Sequence, residues 1–202
     1  MINDITQPKQ LLVEGNDAVN FFYPFIDHLN IPDIQIQNFE SVGDFRKFIG
    51  LFSKNSNFRN IVTSVGIVRD AEQTIADNAF RSICDAIVKV GLVAPSRVME
   101  FSEAAPRIGV YILPDGTSPG MLETLLLGAV FNDPAFGCID SFITCVQETK
   151  NYIPQPPEKA KLLAYFASRE RVKPLIGYSA RAGYLNFDHA VYDQLKTFIK
   201  SL

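Results

Sequence analysis

Three short apolar runs, each stopping at a turn that carries an acid, constrain this chain most. They are Lys9–Val13 (KQLLV), Ile61–Val68 (IVTSVGIV) and Arg107–Leu113 (RIGVYIL). Runs this short, bounded by Gly, Pro and charge, read as strands. Their near-continuous apolar character is that of strands buried on both faces, as in a parallel sheet. A fourth segment, Ile34–Phe39 (IQIQNF), alternates apolar and polar residues, which suits an edge strand with one wet face. Between the runs lie amphipathic stretches with apolar residues three or four apart. The spacing predicts helices over Ala18–Leu29, Val42–Lys54 and Gln73–Val90, with a loop over Lys54–Asn60. Strand–helix alternation implies a parallel sheet with right-handed crossovers. The expected fold is therefore α/β: a compact Rossmann-like parallel sheet of about four strands flanked by helices.

After Asn132-Asp133-Pro134 the pattern changes. Ala135–Tyr152, Pro157–Glu170 and His189–Leu202 read as helices, with a break at IPQPPE and an irregular stretch over Lys173–Phe187. The expected organisation is an α/β core over residues 1–132 and a helical extension over residues 133–202, packed on the core as one compact unit.

Composition narrows the function. Apolar residues make up 47% and charged residues 20% of the 202, a globular balance. The net charge of −3 argues against binding nucleic acid by bulk electrostatics alone. Such a role would need a local basic patch, or metal ions bridging to phosphates. No apolar run approaches the roughly 18–20 residues of a membrane span. The start, MINDITQPKQ, lacks the basic and apolar regions of a secretory signal. Cys84, Cys138 and Cys145 have no CxxC spacing and read as buried free thiols. A cytoplasmic location is expected.

The acids at the strand ends are the candidate site. Glu14 and Asp17 follow the first run, Asp70 and Glu72 the second, and Asp115 the third, with Glu123 opening the next helix. Ligands of open α/β sheets bind beyond the carboxyl ends of the strands. Residues i and i+2 of a strand share a side, so Asp70 and Glu72 are expected to face one cation. A hard divalent ion such as Mg2+ suits carboxylate oxygens and leaves room for phosphate oxygens. Each acid has a second reading. Asp17 fits a helix N-cap equally well, and Glu123 could simply complement the helix dipole. Glu14 is a poor cap and precedes a glycine, which favours a functional role.

The segments LLVEGNDA and IVRDAE resemble the two acidic motifs of the TOPRIM (topoisomerase–primase) fold, with Glu72 where the second motif has Asp. The downstream segments IGVYILPDGTSPGMLETLLL and EKAKLLAYFASRERVKPLIGYSA resemble uncharacterised prokaryotic TOPRIM-like proteins related to the overcoming-lysogenisation-defect nucleases. The resemblance covers most of the chain. It implies Mg2+- or Mn2+-dependent phosphodiester or phosphoryl-transfer chemistry, with nucleic acid as partner and a nuclease as the expected activity. By carry-over Glu14 is the general acid/base and an additional metal ligand. Asp70, Glu72 and Glu123 are the metal ligands, and Lys159 acts on the phosphate, with Lys161 as its alternative. The longer arm of Glu72 shifts the geometry and puts the activity in question. The alternative function is therefore an inert TOPRIM-like binding or regulatory module for a nucleotide, phosphate or protein, or a phage-defence component. A homo-oligomer or a partner ATPase chain is compatible with either.

Other residues offer less. His28 and His189 lack ligand-like spacing and fit surface or cap roles. There is neither a GxSxG nucleophile motif nor a GxxxxGK[ST] phosphate loop. Arg169 and Arg171, with Lys173, suit a solvated helix end or a backbone-phosphate contact. Arg181, between Tyr178 and Tyr184, mildly supports a binding surface.

Overall fold

The computed structural model describes residues 3–202. Strand β1 (Lys9–Val13) leads into helix α1 (Gly15–Leu29), and β2 (Ile34–Asn38) into α2 (Val42–Phe52) and the short α3 (Ser56–Ile61). Then follow β3 (Ser64–Asp70), α4 (Ala76–Lys89), β4 (Arg107–Leu113) and α5 (Leu122–Val130). The remainder is helical: α6 (Phe136–Lys150), α7 (Pro157–Ala167), α8 (Ile176–Arg181), a 3-10 turn at Ala190–Tyr192 and α9 (Asp193–Lys200). The four strands form one all-parallel sheet in the order β2-β1-β3-β4. The architecture is the expected α/β one, with β2 at an edge.

Strand alternation divides the core into two layers. Leu11, Val13, Val68, Tyr111 and Leu113 face one layer, which also holds α1, α5, α7, α8 and α9 residues such as Phe21, Leu126, Phe166, Ala180 and Phe198. Leu12, Ile67, Ile108, Val110 and Ile112 face the other, filled by Phe45, Phe48 and Phe52 of α2 and by Ile83 and Ile87 of α4. The residues after 133 thus close one face of the sheet. No helix among the described residues is long and apolar enough to cross a membrane.

Four local readings change. The expected loop over Lys54–Asn60 contains α3, because Asn55 caps it by accepting from the Asn57 amide at 2.9 Å and Phe58 is buried. The third strand accordingly starts at Ser64 instead of Ile61. Part of the irregular stretch over Lys173–Phe187 is α8, which packs on α1 through Gly177; a Cβ there would lie 3.0 Å from Asn20. Finally, all three thiols are free as expected, but Cys138 and Cys145 are exposed. Helix α6 buries only Ile139 and Ile143; Phe136 packs partly buried against the core, and Phe142 is exposed.

Candidate functional site at the carboxyl edge of the sheet

The sheet order makes β1 and β3 neighbours at the point where the chain changes direction. β1 connects to β2 on one side, and β3 then continues the sheet on the other. In an open α/β sheet this is where the crevice for a ligand opens, beyond the carboxyl ends. Here those ends carry Glu14 and Asp70.

Glu14 stands at the N-cap position of α1, but its side chain makes no capping hydrogen bond. Gly15 takes φ 80°, a left-handed angle that strains any residue with a Cβ. Its amide donates to Asn38 Oδ1 at 3.1 Å, and Asn38 Nδ2 donates to Asn16 Oδ1 at 2.9 Å, so the turn is held from β2. The Glu14 carboxylate, with its side chain 14% exposed, lies 3.9 Å from Arg69 Nε.

Asp70 ends β3. Its Oδ1 accepts from the Leu122 amide at 2.9 Å, tying the strand to the first residue of α5. The next residue, Glu123, is buried. Desolvation by burial, then the negative charges of Glu14 and Glu123, push the Asp70 carboxyl up to about 7, against the Leu122 hydrogen bond. The fourth element is α7. Lys159 Nζ lies 2.7 Å from Asp17 Oδ2 on α1 and 3.7 Å from Glu123 Oε1 on α5. The hydrogen bond to Asp17 holds the Lys159 ammonium above its ordinary range. Asp17 therefore does not cap α1; it positions Lys159.

The remaining candidates are placed as follows. Glu72 does not continue the strand. It has φ 56°, is exposed, and forms an isolated antiparallel bridge with Gly120 through amide–carbonyl hydrogen bonds of 2.8 and 2.7 Å. The i, i+2 argument for Asp70 and Glu72 sharing one side therefore fails, because β3 ends at Asp70. Asp115 serves its own turn. Although its burial opposes ionisation, amide bonds from Ser118 and Thr117 at 2.7 and 2.9 Å hold its carboxyl below the usual range. Lys161 pairs with Asp140 of α6 at 2.7 Å. Arg169 makes a bidentate pair with Asp133 at 3.0 and 3.1 Å and lies 4.3 Å over the Tyr165 ring. It is a clamp between the start of α6 and the end of α7. Arg171 and Arg181 are exposed, and the Arg171 carbonyl accepts from the Tyr184 hydroxyl. His28 faces Asp188 at 3.0 Å, and His189 Nδ1 caps the 3-10 turn by accepting from the Val191 amide at 3.1 Å.

The sequence reading missed Arg69, the partner of Glu14. Its signal was a cation interrupting an otherwise apolar strand beside Asp70. The donor set suits a hard cation: Glu14, Asp17, Asp70 and Glu123 are carboxylates, with the cations Arg69 and Lys159 set against them. Among the described residues, no three acids are grouped as ready-made ligands of one ion. Mg2+ commonly takes one or two carboxylates and keeps its waters, so this donor set still fits.

No curated protein and no solved structure matches the chain. The family described as protein of unknown function (DUF3226) matches residues 8–202, and the chain belongs to that family.

Proposed function

We propose that this DUF3226 member is a Mg2+- or Mn2+-dependent nuclease. The observation that carries the reading is the convergence of Glu14, Asp70, Glu123 and Lys159, from four separate elements, on the switch-point edge of a parallel sheet. The resemblance to TOPRIM-like nucleases supports the same reading. Asp70 and Glu123 would hold the cation, with Glu14 beside them. When bound, that cation supplies charge neutralisation at the phosphate oxygens. Lys159 offers N–H groups and positive charge to a phosphoryl oxygen, and Asp17 keeps it oriented. Glu14 accepts the proton of the attacking water, and Arg69 lies beside its carboxylate at 3.9 Å. A cytoplasmic location belongs to the same reading.

The test is cleavage of single- and double-stranded DNA and of RNA with Mg2+ or Mn2+. Asp70→Ala is expected to abolish metal-dependent cleavage, and cleavage that survives the substitution overturns the assigned site.

One observation favours a second reading, an inert binding or regulatory module. Lys159 and Arg69 already neutralise part of the acidic set, and Glu72 is exposed beyond the end of β3, though its charge still acts on Asp70. Calorimetric titration with Mg2+ and Mn2+ separates the two, since no metal uptake at pH 8 favours the inert module. A phage-defence role with a partner ATPase chain, or a homo-oligomer, would show as a stable complex on purification.

A further inference from the structure

On the other face of the same sheet edge, a small cavity of about 230 Å³ opens between α2 and α4. Arg46 of α2 and Arg69 of β3 line it, with Gly43, Phe45, Ser82 and Ile83, and no acid is among its lining residues. The two arginines differ in kind. Arg69 is largely buried, its side chain 11% exposed; Nη1 donates to the Ala79 carbonyl at 3.3 Å, and Nε makes no hydrogen bond. Arg46 is exposed and has no acidic partner among the described residues. A guanidinium presents a rigid fork of donors matched to phosphate and carboxylate, and two forks from separate elements form a clamp.

We propose that this cavity is a phosphate-binding subsite, which takes a phosphate neighbouring the one that reacts at the acidic edge. Its lining, not its size, selects the ligand. At about 230 Å³ it lies below the roughly 300–1,000 Å³ of sites for drug-sized molecules and is large enough for a phosphoryl group. Ser82, also in the lining, adds a neutral hydroxyl donor. Arg69 joins the two halves: its Nε side faces Glu14, and the rest of the guanidinium borders the cavity. A strand gripped here would be held across the switch-point crevice, with its next phosphate presented to Glu14 and Lys159.

The subsite deepens the nuclease reading, yet its test needs no catalysis. The metal-free full chain, in EDTA, is titrated with oligo(dT) at several salt concentrations. Arg46→Ala is expected to weaken binding about three- to tenfold and to lower the slope of log affinity against log salt by about 0.7, the loss of one single-strand phosphate contact. Arg46→Lys should restore the slope, because the charge returns, but only part of the affinity. Arg46 is exposed, so these variants keep the wild-type melting temperature. Arg69→Lys tests the buried fork and should weaken binding with the slope unchanged. Inorganic phosphate added at constant ionic strength separates the sources. Displacement of the oligonucleotide assigns the cavity to a free or terminal phosphate, and no displacement assigns it to the backbone of a strand. Unchanged affinity and slope in Arg46→Ala, or no binding by the wild type, overturns the subsite. Arg46-dependent binding without cleavage under any metal leaves the subsite standing and removes the nuclease reading.

Discussion

At the scale of single residues, Asp70 sets the electrostatics of the edge. Its carboxyl is raised above the ordinary 3.8 to about 7 by burial and by Glu14 and Glu123. A group whose folded-state pKa lies above its unfolded value stabilises the fold fully below the unfolded value. That contribution is lost as pH rises through the folded value. In EDTA, stability is therefore expected to fall between about pH 4 and pH 7 and then to level off. A three-unit shift corresponds to about 4 kcal/mol at most, and an effect on the order of 2 kcal/mol is expected. Asp70→Asn keeps an oxygen for the Leu122 amide and removes the charge. Urea unfolding at pH 5 and pH 8 should show a smaller difference for this variant than for the wild type. Equal differences would show that Asp70 is not the group responsible. The thiols offer a second measurement. Cys138 and Cys145 are exposed, while burial pushes the half-buried Cys84 up to about 11. Native protein at pH 8 should titrate two thiols quickly with a disulfide reagent, and the third only on unfolding.

At the scale of elements, a pair of glycines decides how the C-terminal part docks. Gly66 of β3 and Gly109 of β4 are register partners. A Cβ at Gly66 would come 3.1 Å from Leu202, and one at Gly109 would come 2.6 Å from Phe101. Phe101 stacks on Phe198 of α9 at 5.2 Å. The missing side chains thus make the hollow in which the last helix and its terminal leucine lie. Gly109→Ala is expected to cost about 1–3 kcal/mol by overpacking, read as a lower urea midpoint with an unchanged slope. A midpoint equal to wild type would mean that the Phe101 ring moves freely. The strands themselves were legible in the sequence: β1 and β4 lie where the apolar runs placed them, because a run buried on both faces leaves no ambiguity of period. The helices α3 and α8 were not legible. Each has six residues, too few for a period to show, and each owes its place to tertiary contacts of Phe58 and Gly177.

At the scale of the whole molecule, the proposed metal site links binding, protons and folding. A divalent ion that binds only the folded chain stabilises it, by about 2.7 kcal/mol at a hundredfold excess over Kd. For a chain of 202 residues this is a rise of about 5–10 °C in melting temperature. Asp70 must lose its proton first, so the rise in Mg2+ or Mn2+ should be larger at pH 8 than at pH 6. Scanning calorimetry with and without the ion tests this, and no rise at either pH favours the inert module.

The periodicity of apolar residues settled the α/β class, the parallel sheet and the strand ends that carry Glu14 and Asp70. Those are local consequences of which residues are buried, and burial leaves its mark on consecutive positions. Three features at the edge were decided only in three dimensions: the left-handed bend at Glu72, the pairing of Lys159 with Asp17 across 142 positions, and the placing of Arg69 between Glu14 and a cavity. The left-handed bend at Glu72 goes with its bridge to Gly120, and the Lys159 pair joins α7 to α1. Such contacts join residues far apart in the chain, so no window of sequence contains both partners.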